Sequence, residues 1–170
     1  MAPSGLALCV LTLAVARDLG FAGRFLYMNS SGLTTPSVFA TCLNLWKGNT
    51  LVWRRRVEDD IRVSGLAYTI IRTGVLLNRP GSQHILHVTQ QPLPLSLRYR
   101  IARADVAEVF AAALDDPNAV RTTFEVVWGR RGQMPPGSGL LASLQPDPPV
   151  NSTESRGSVI ESGPGSSCPS

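Results

Sequence analysis

The sequence has few cysteines, and none of them belongs to a metal or disulfide motif. Its 170 residues include Cys9, Cys42 and Cys168, which are widely spaced and form no CxxC pair. Disulfide scaffolds and structural zinc sites need cysteines at regular spacing. The two histidines, His84 and His87, lie three apart in a predicted strand and therefore on opposite faces, so they do not share a metal. We predict no metal site and a reducing, cytoplasmic setting.

A long hydrophobic run is also missing. The longest apolar stretch extends from Leu6 to Ala16 and covers eleven residues. A transmembrane helix needs about 20 such residues. We therefore expect no membrane association.

Lysine is nearly absent, because 15 of the 16 basic residues are arginine. The basic run Arg54 to Arg56 is followed by acidic residues four positions later, at Glu58, Asp59 and Asp60. This spacing predicts three ion pairs along the surface of one helix. Arginines that are neutralised in this way do not form the unbalanced basic face that nucleic acids bind. The net charge of +4 thus gives no reason to expect a nucleic-acid partner.

The final part of the chain has little periodic apolar character. Residues 132–170 are rich in Pro, Gly and Ser and include Pro135-Pro136 and Pro148-Pro149. Such segments bury too little apolar surface to order themselves. The sequence predicts one domain over residues 1–131, which is an ordinary domain size, followed by a disordered tail over residues 132–170.

Within residues 1–131, helical patterns alternate with apolar runs of strand length. The predicted elements are helices at Leu6–Leu19, Thr50–Ser64 and Asp105–Leu114, and strands at Phe25–Met28, Leu66–Ile71 and Thr122–Trp128, and a short strand over His84–Thr89 also fits. Gly20 stands where a left-handed residue ends the first helix. This alternation builds a parallel sheet with helical crossovers, so the predicted class is α/β. We place the last strand near an edge of the sheet.

Polar residues follow the first two predicted strands. They are Asn29–Gly32 after one strand and Arg72–Gly74 after the next. In open α/β sheets, ligands bind beyond the carboxyl ends of the strands. A serine at a strand end also commonly satisfies a turn. The residues alone therefore leave both roles open for Ser30 and Ser31.

Four blocks occur in order over roughly residues 5–131: RFLYMNSSG, WRRRVEDDIRVSGLAYTIIRTGVLLNRPG, RIARADVAEVFAAALDDP and TTFEVVW. Together they resemble the C-terminal half of the atypical short-chain dehydrogenase/reductase family, the NmrA-like NAD(P)-binding proteins. The resemblance implies a partial Rossmann-type fold, NADP or NAD as cofactor, and an oxidoreductase acting on a small-molecule substrate. It implies catalytic positions at Ser31 and Arg54 and cofactor contacts from Ser30, Arg72, Thr73 and Gly74.

Members of the wider family often carry a Tyr and a Lys four residues apart at the start of the central helix. Counting back from Glu58 places these positions at Thr50 and Arg54 in this sequence. The hydroxyl of Thr50 is not acidic, and Arg54 stays protonated over the working range. The usual acid/base pair is therefore absent. Hydride transfer with a proton from solvent or substrate is still compatible with these residues.

No GxGxxG motif, which would bind a pyrophosphate, follows a strand anywhere in the sequence. If the first helix corresponds to the family's fourth, the family's first four strands are missing, and the strand at residues 24–29 is expected to expose an unpaired edge. Exposed strand edges pair readily with other chains. The alternative to an enzyme is thus a cofactor-free interaction module, or an inactive truncated product. Either would pair through residues 24–29 with another protein or a second copy.

Overall fold

The structure is a computed structural model that describes residues 4–32, 50–94, 96–129 and 139–149. The helices in these segments are α1 (Ser4–Asp18), α2 (Thr50–Val63) and α3 (Arg103–Asp115), and a 3-10 turn covers Pro117–Ala119. The strands are β1 (Arg24–Ser30), β2 (Ala67–Thr73), β3 (Val75–Leu77), β4 (Leu86–Thr89), β5 (Arg100–Ala102) and β6 (Thr122–Trp128). Every helix and strand predicted from the sequence is present, whereas β3 and β5 were not predicted.

The main sheet has the strand order β1-β2-β6-β4. Strands β1, β2 and β6 are parallel, which confirms the predicted α/β class, and β4 runs antiparallel to β6. A second, two-stranded parallel sheet pairs β3 with β5. The last strand, predicted near an edge, is one strand in from it, because β6 lies between β2 and the edge strand β4. The alternating polar residues of β6 suggested a half-exposed strand, but Glu125 is buried and Thr123 is partly buried.

Helices cover both faces of the main sheet. On one face, α1 and α2 pack against β2 through a buried cluster of Leu13, Val57, Ile61, Tyr68 and Ile70. On the other face, α3 packs through Val106 and Val109 onto a cluster that includes Ile71, Phe124 and Val126. Each fully buried aliphatic or Phe side chain contributes about 1.5–3 kcal/mol. These two cores hold the strand ends in fixed positions.

The first helix ends as its sequence predicts. Gly20 has a φ of +63°, which residues with a side chain rarely adopt. The Phe21 N–H then donates to the carbonyl oxygen of Ala16 at 2.9 Å, which satisfies one of the last carbonyls of α1. Among the described segments, no helix combines the length and apolar character that crossing a bilayer requires.

The prediction of a disordered tail is wrong for residues 139–149. Leu141 and Leu144 are buried in the α3-side core. Asp147 accepts hydrogen bonds from the Tyr68 hydroxyl at 3.0 Å and from the Thr123 N–H at 3.0 Å. This short segment has few apolar residues, but it is ordered because Leu141 and Leu144 pack into a core formed by the rest of the domain. The other residues of the predicted tail lie outside the described part of the chain.

The first strand lies at an edge of the main sheet. In the described segments β1 pairs with β2 and with no other strand. Met28 on this strand is 46% exposed. Nearby apolar side chains of α1 are also exposed, Leu8 at 63% and Leu11 at 60%. The edge predicted at residues 24–29 is therefore present in the described structure.

Candidate functional site

The carboxyl ends of β1 and β2 lie side by side. Ser30 is in register with Thr73, and the Ser31 N–H donates to the Thr73 carbonyl oxygen at 2.9 Å. The Thr73 hydroxyl donates to the carbonyl oxygen of Asn29 at 3.3 Å. The structure therefore brings together Ser30, Ser31 and Thr73, as the sequence predicts. Their backbone is held by the sheet, which gives any ligand at this edge a rigid floor.

A row of polar side chains crosses the sheet immediately below these ends. Asn29, Arg72 and Glu125 are in register on β1, β2 and β6. All three are buried. Because side chains alternate along a strand, Arg72 lies on the same face as Tyr68 and Ile70, beneath α2. Because Arg72 is buried in this row, its guanidinium needs hydrogen-bond acceptors and a negative charge from the helix that covers it.

Glu58 of α2 provides both the acceptors and the charge. Its carboxylate is fully buried and accepts two hydrogen bonds from Arg72, from Nε at 3.0 Å and from Nη2 at 2.6 Å. It also accepts from Asn29 Nδ2 at 2.8 Å and from Arg62 Nη2 at 3.2 Å. A two-pronged guanidinium–carboxylate contact is among the strongest polar contacts in proteins. Glu58 therefore ties the helix to the two strands whose ends form the site.

The environment of Arg72 is internal to the protein. Burial by itself lowers the pKa of Arg72, but the hydrogen bonds and charge of Glu58 outweigh burial and raise it. Arg72 Nη1 also lies 3.8 Å from Glu125 Oε1. The described partners of the guanidinium are thus two buried carboxylates. A direct contact between Arg72 and a cofactor stays a prediction, and only the backbone of this residue reaches the strand end.

Arg54 lies close to the site but has a different partner from the expected one. Its Nη1 donates to Asn29 Oδ1 at 3.2 Å, and Asn29 Nδ2 lies 3.3 Å from the Arg54 carbonyl oxygen. The three ion pairs predicted along α2 are absent among the described side chains, where Glu58 pairs with Arg62 and Arg72. The prediction failed because it treated Glu58 as a surface residue, although it adjoins the buried Val57.

Glu125 and Ser31 form a buried pair without hydrogen-bond partners among the described residues. Glu125 is 2% exposed, and neither its carboxylate oxygens nor the Ser31 hydroxyl meets hydrogen-bond geometry. Burial raises the pKa of Glu125, whereas the nearby Ser31 hydroxyl, the Leu93 backbone and Arg72 lower it in part. Buried polar groups without partners are rare and are concentrated at functional sites. The pair can hold a proton directly beneath the strand ends.

Gly74 has a packing role at the end of β2. A Cβ atom at this position would collide with the carbonyl oxygen of Tyr99. The next residue, Val75, donates its N–H to that same carbonyl oxygen at 2.8 Å. Glycine is therefore required so that residues 96–100 can approach the strand end. Whether Gly74 also contacts a cofactor stays a prediction.

The sequence reasoning missed Asn29, Glu58 and Glu125 as members of the site. A signal for Glu125 was available, since it is the one charged residue inside the strand TTFEVVW, and a charge within a buried strand needs a partner. A signal for Glu58 was also available, next to Val57 on the apolar face of α2. The side chain of Thr50 lies outside the described part of the chain. No group of His, Cys, Asp and Glu in the described segments could hold a metal ion.

Comparison with known proteins identifies the family. A family profile described as NAD(P)H-binding matches residues 8–117. The chain belongs to the NAD(P)H-binding family. A curated relative, sanguinarine reductase from Eschscholzia californica, is 36% identical over 113 residues, which are 66% of this chain and 39% of the reductase.

Solved structures have the same Rossmann-like fold as this NAD(P)H-binding chain. A putative NAD-dependent epimerase/dehydratase from Bacillus halodurans aligns with a TM-score of 0.59 and 28% identity, over 71% of this chain and 53% of its own. A short-chain dehydrogenase/reductase from Veillonella parvula in complex with NADP aligns with a TM-score of 0.56 and 18% identity, over 75% of this chain and 59% of its own. The chain thus spans between two fifths and three fifths of these proteins.

The family suggests a nicotinamide cofactor, and the residues at the strand ends can be compared with what such a cofactor needs. The strand ends offer backbone groups and the buried Ser31 hydroxyl, which no described residue engages. The pyrophosphate end needs N–H groups in a glycine-rich turn between strand and helix. The sequence contains no GxGxxG motif. The strand ends therefore offer polar groups where ligands of open α/β sheets bind, and the sequence shows no pyrophosphate-binding motif.

Proposed function

We propose that this chain carries the nicotinamide- and substrate-side half of an NAD(P)H-dependent reductase of the atypical, NmrA-like short-chain dehydrogenase/reductase type. The observation that carries the proposal is the junction of Ser30, Ser31 and Thr73 at the parallel ends of β1 and β2. Ligands of open α/β sheets bind at this edge. The relative that is named a reductase, and the absence of a phosphate loop from this sequence, support the same assignment. Cysteine usage supports a cytoplasmic setting.

The roles of the residues follow from their positions. A bound NAD(P)H would supply the hydride. Ser30, Ser31 and Thr73 would orient the nicotinamide ring and the substrate at the strand ends, while Arg54 positions the β1 end through Asn29. Ser31 and Glu125 would hold the proton that the missing Tyr and Lys cannot provide. Because these groups are buried, bulk water is excluded from the floor of the site.

Titration of the full chain with NADPH and with NADH tests this function, followed by cofactor fluorescence and thermal unfolding together. We expect saturable binding of one of them, with a stability gain near 2.7 kcal/mol at about 100-fold excess over the dissociation constant. Ser31→Ala should weaken binding, whereas Ser143→Ala, on the exposed part of segment 139–149, should leave it unchanged. A folded chain that binds neither cofactor overturns the proposal.

The alternative is a cofactor-free module, or an inactive product, that self-associates through β1. It is favoured by the position of β1, which has one strand neighbour in the described structure. Met28 on β1 itself is an exposed apolar side chain. A second copy placed with its β1 antiparallel to this one would pair the free backbone groups of both strands and bring the two Met28 side chains into the interface.

A further inference from the structure

A cavity of about 720 Å³ lies beside the carboxyl end of β6. Small-molecule sites commonly have volumes of about 300–1,000 Å³. Its walls come from β3, β4, β5, the end of β6 and the segment before β5. The lining residues that matter for binding are Arg79, His84, Leu93, Arg98, Arg100 and Trp128. The backbone of Leu93 is also close enough to Glu125 to affect its pKa. Leu93 therefore belongs both to the cavity wall and to the surroundings of Glu125.

The charge of the cavity is entirely positive. Arg79, Arg98 and Arg100 are exposed in its wall, and no Asp or Glu is among the lining residues. In the described segments none of these three arginines lies within ion-pair distance of a carboxylate. Arg62 of α2 differs, since it pairs with three carboxylates. The cavity wall therefore carries three positive charges that no described carboxylate neutralises.

The remaining wall combines aliphatic side chains with aromatic ones, among which Trp128 is held by several contacts. Trp128 contacts the ring of His84, with ring centroids 3.9 Å apart. Its indole N–H donates to Asp105 Oδ2 at 2.7 Å, and Asp105 is itself buried. Asp105 Oδ1 accepts from the Ser82 N–H at 2.6 Å. Held in this way, Trp128 offers a fixed aromatic surface to a ligand, next to cationic groups that attract anions.

We propose that this cavity binds an organic anion, a carboxylate or phosphate ester with a flat apolar body, in which the anionic group meets Arg98 and Arg100 and the apolar body lies against Trp128. The identification of this anion as the substrate rests on the proposed reductase function. The binding itself does not, since it needs only the cavity. The phosphates of a cofactor are a second source of the same chemistry. A cofactor pyrophosphate needs N–H groups in a glycine-rich turn between strand and helix, and no such turn is among the residues that line this cavity.

The test uses 2-naphthoate and its methyl ester as a matched pair of probes, with binding to the full chain measured by calorimetry in the absence of cofactor. We expect the carboxylate to bind at least tenfold more tightly than the ester and to weaken as salt is raised. Arg98→Gln and Arg100→Gln should each weaken 2-naphthoate binding about tenfold, with circular dichroism confirming an intact fold. Arg55→Gln removes the same charge from an exposed site on α2 and should have no effect.

Several outcomes would overturn this inference: equal binding of the carboxylate and the ester, no binding of either, or an equal loss in the Arg55→Gln control. It is also overturned if Arg98→Gln weakens binding of NADPH but not of 2-naphthoate, because the arginines would then serve the cofactor. Binding of 2-naphthoate that depends on Arg98, in a chain that binds no cofactor, supports the anion site and rejects the reductase function. Cofactor binding without 2-naphthoate binding rejects the anion site and supports the reductase function.

Discussion

At the scale of single residues, Glu58 determines how the charges under α2 are arranged. It accepts hydrogen bonds from Asn29, Arg62 and Arg72 and is fully buried. A buried ion pair adds modest net stability, but removing one partner leaves an uncompensated charge inside the protein. The same residue holds β1 and β2 at the height where Ser30 and Thr73 meet. Stability and site geometry therefore depend on one carboxylate.

Replacing this carboxylate should be costly. We expect Glu58→Gln to lower the free energy of unfolding by about 3 kcal/mol, because Arg72 would lose its two hydrogen-bonded carboxylate contacts and keep only the more distant charges of Glu125 and Asp147. Urea unfolding followed by circular dichroism measures the change. Asp60→Asn on the exposed side of the same helix is the matched control and should change stability by less than about 0.5 kcal/mol. Equal effects of the two substitutions would contradict the described network.

Replacing the carboxylate of Glu125 should stabilise the protein, whereas replacing that of Glu58 should destabilise it. Burial, together with the charge of Glu58, raises the pKa of Glu125 above the ordinary value of 4.5, so the ionised form destabilises the folded state. The free-energy cost of the buried ionised carboxylate is present in full when the pH is above the pKa of Glu125 in the folded state. It disappears when the pH falls below the pKa of Glu125 in the unfolded chain. Glu125→Gln should therefore stabilise the protein at about pH 8 by on the order of 1 kcal/mol, and the gain should vanish near pH 4.

Urea unfolding at several pH values between these limits tests the expectation for Glu125→Gln. Asp115→Asn, at an exposed position on α3, is the control and should differ from the parent by less than about 0.5 kcal/mol throughout. A gain from Glu125→Gln that stays constant, or that grows as the pH falls, would show that the buried carboxylate is compensated. Such a result would also contradict the proposed role of Glu125 in holding the proton for the reaction.

At the scale of elements, residues 139–149 act as part of the domain. Leu141 and Leu144 join the core that α3 makes with the sheet. The Asp147 N–H donates to the Arg121 carbonyl oxygen at 2.7 Å, and Gln90 exchanges hydrogen bonds with the backbone of Gln145. The segment therefore covers the loop that precedes β6 and the end of β4.

Truncating the buried side chain of Leu141, in segment 139–149, should destabilise the whole domain. Leu141 is 2% exposed, and we expect Leu141→Ala to cost about 2–5 kcal/mol, the usual range for such a cavity. Thermal or urea unfolding provides the measurement. Ser143→Ala, two residues along on the exposed side, should be nearly neutral. If Leu141→Ala is equally neutral, the segment does not pack in solution and the sequence-based prediction of a disordered tail would hold here too.

At the scale of the whole molecule, the described segments form a Rossmann-like α/β fold in which β1 has one strand neighbour. If the self-associating alternative is correct, light scattering should give the mass of a dimer at micromolar concentration. Met28→Lys should then return the chain to a monomer, because a charge on an exposed strand blocks edge pairing. Leu97→Lys places the same charge at another exposed apolar position and should leave the dimer intact. A monomeric parent chain excludes this alternative.

Local patterns in the sequence were sufficient to predict the helices, the three parallel strands and the strand ends that carry Ser30, Ser31 and Thr73. These features depend on periodicity and on turn residues such as Gly20, which neighbours in sequence control. Tertiary structure decided which charges are paired. Glu58 and Arg72 are fourteen residues apart, and no local spacing shows that α2 crosses β2 at that height.

The arginine-lined cavity and the ordered segment 139–149 also depended on tertiary structure. The cavity collects Arg79, Arg98, Arg100 and Trp128 from separate parts of the chain, and Leu141 becomes ordered only because a core is already present to receive it. The sequence by itself determined the α/β class of the protein and the strand ends at which we propose that a ligand binds. Tertiary structure determined the charges at those strand ends, because a buried charge is controlled by the groups brought near it in space.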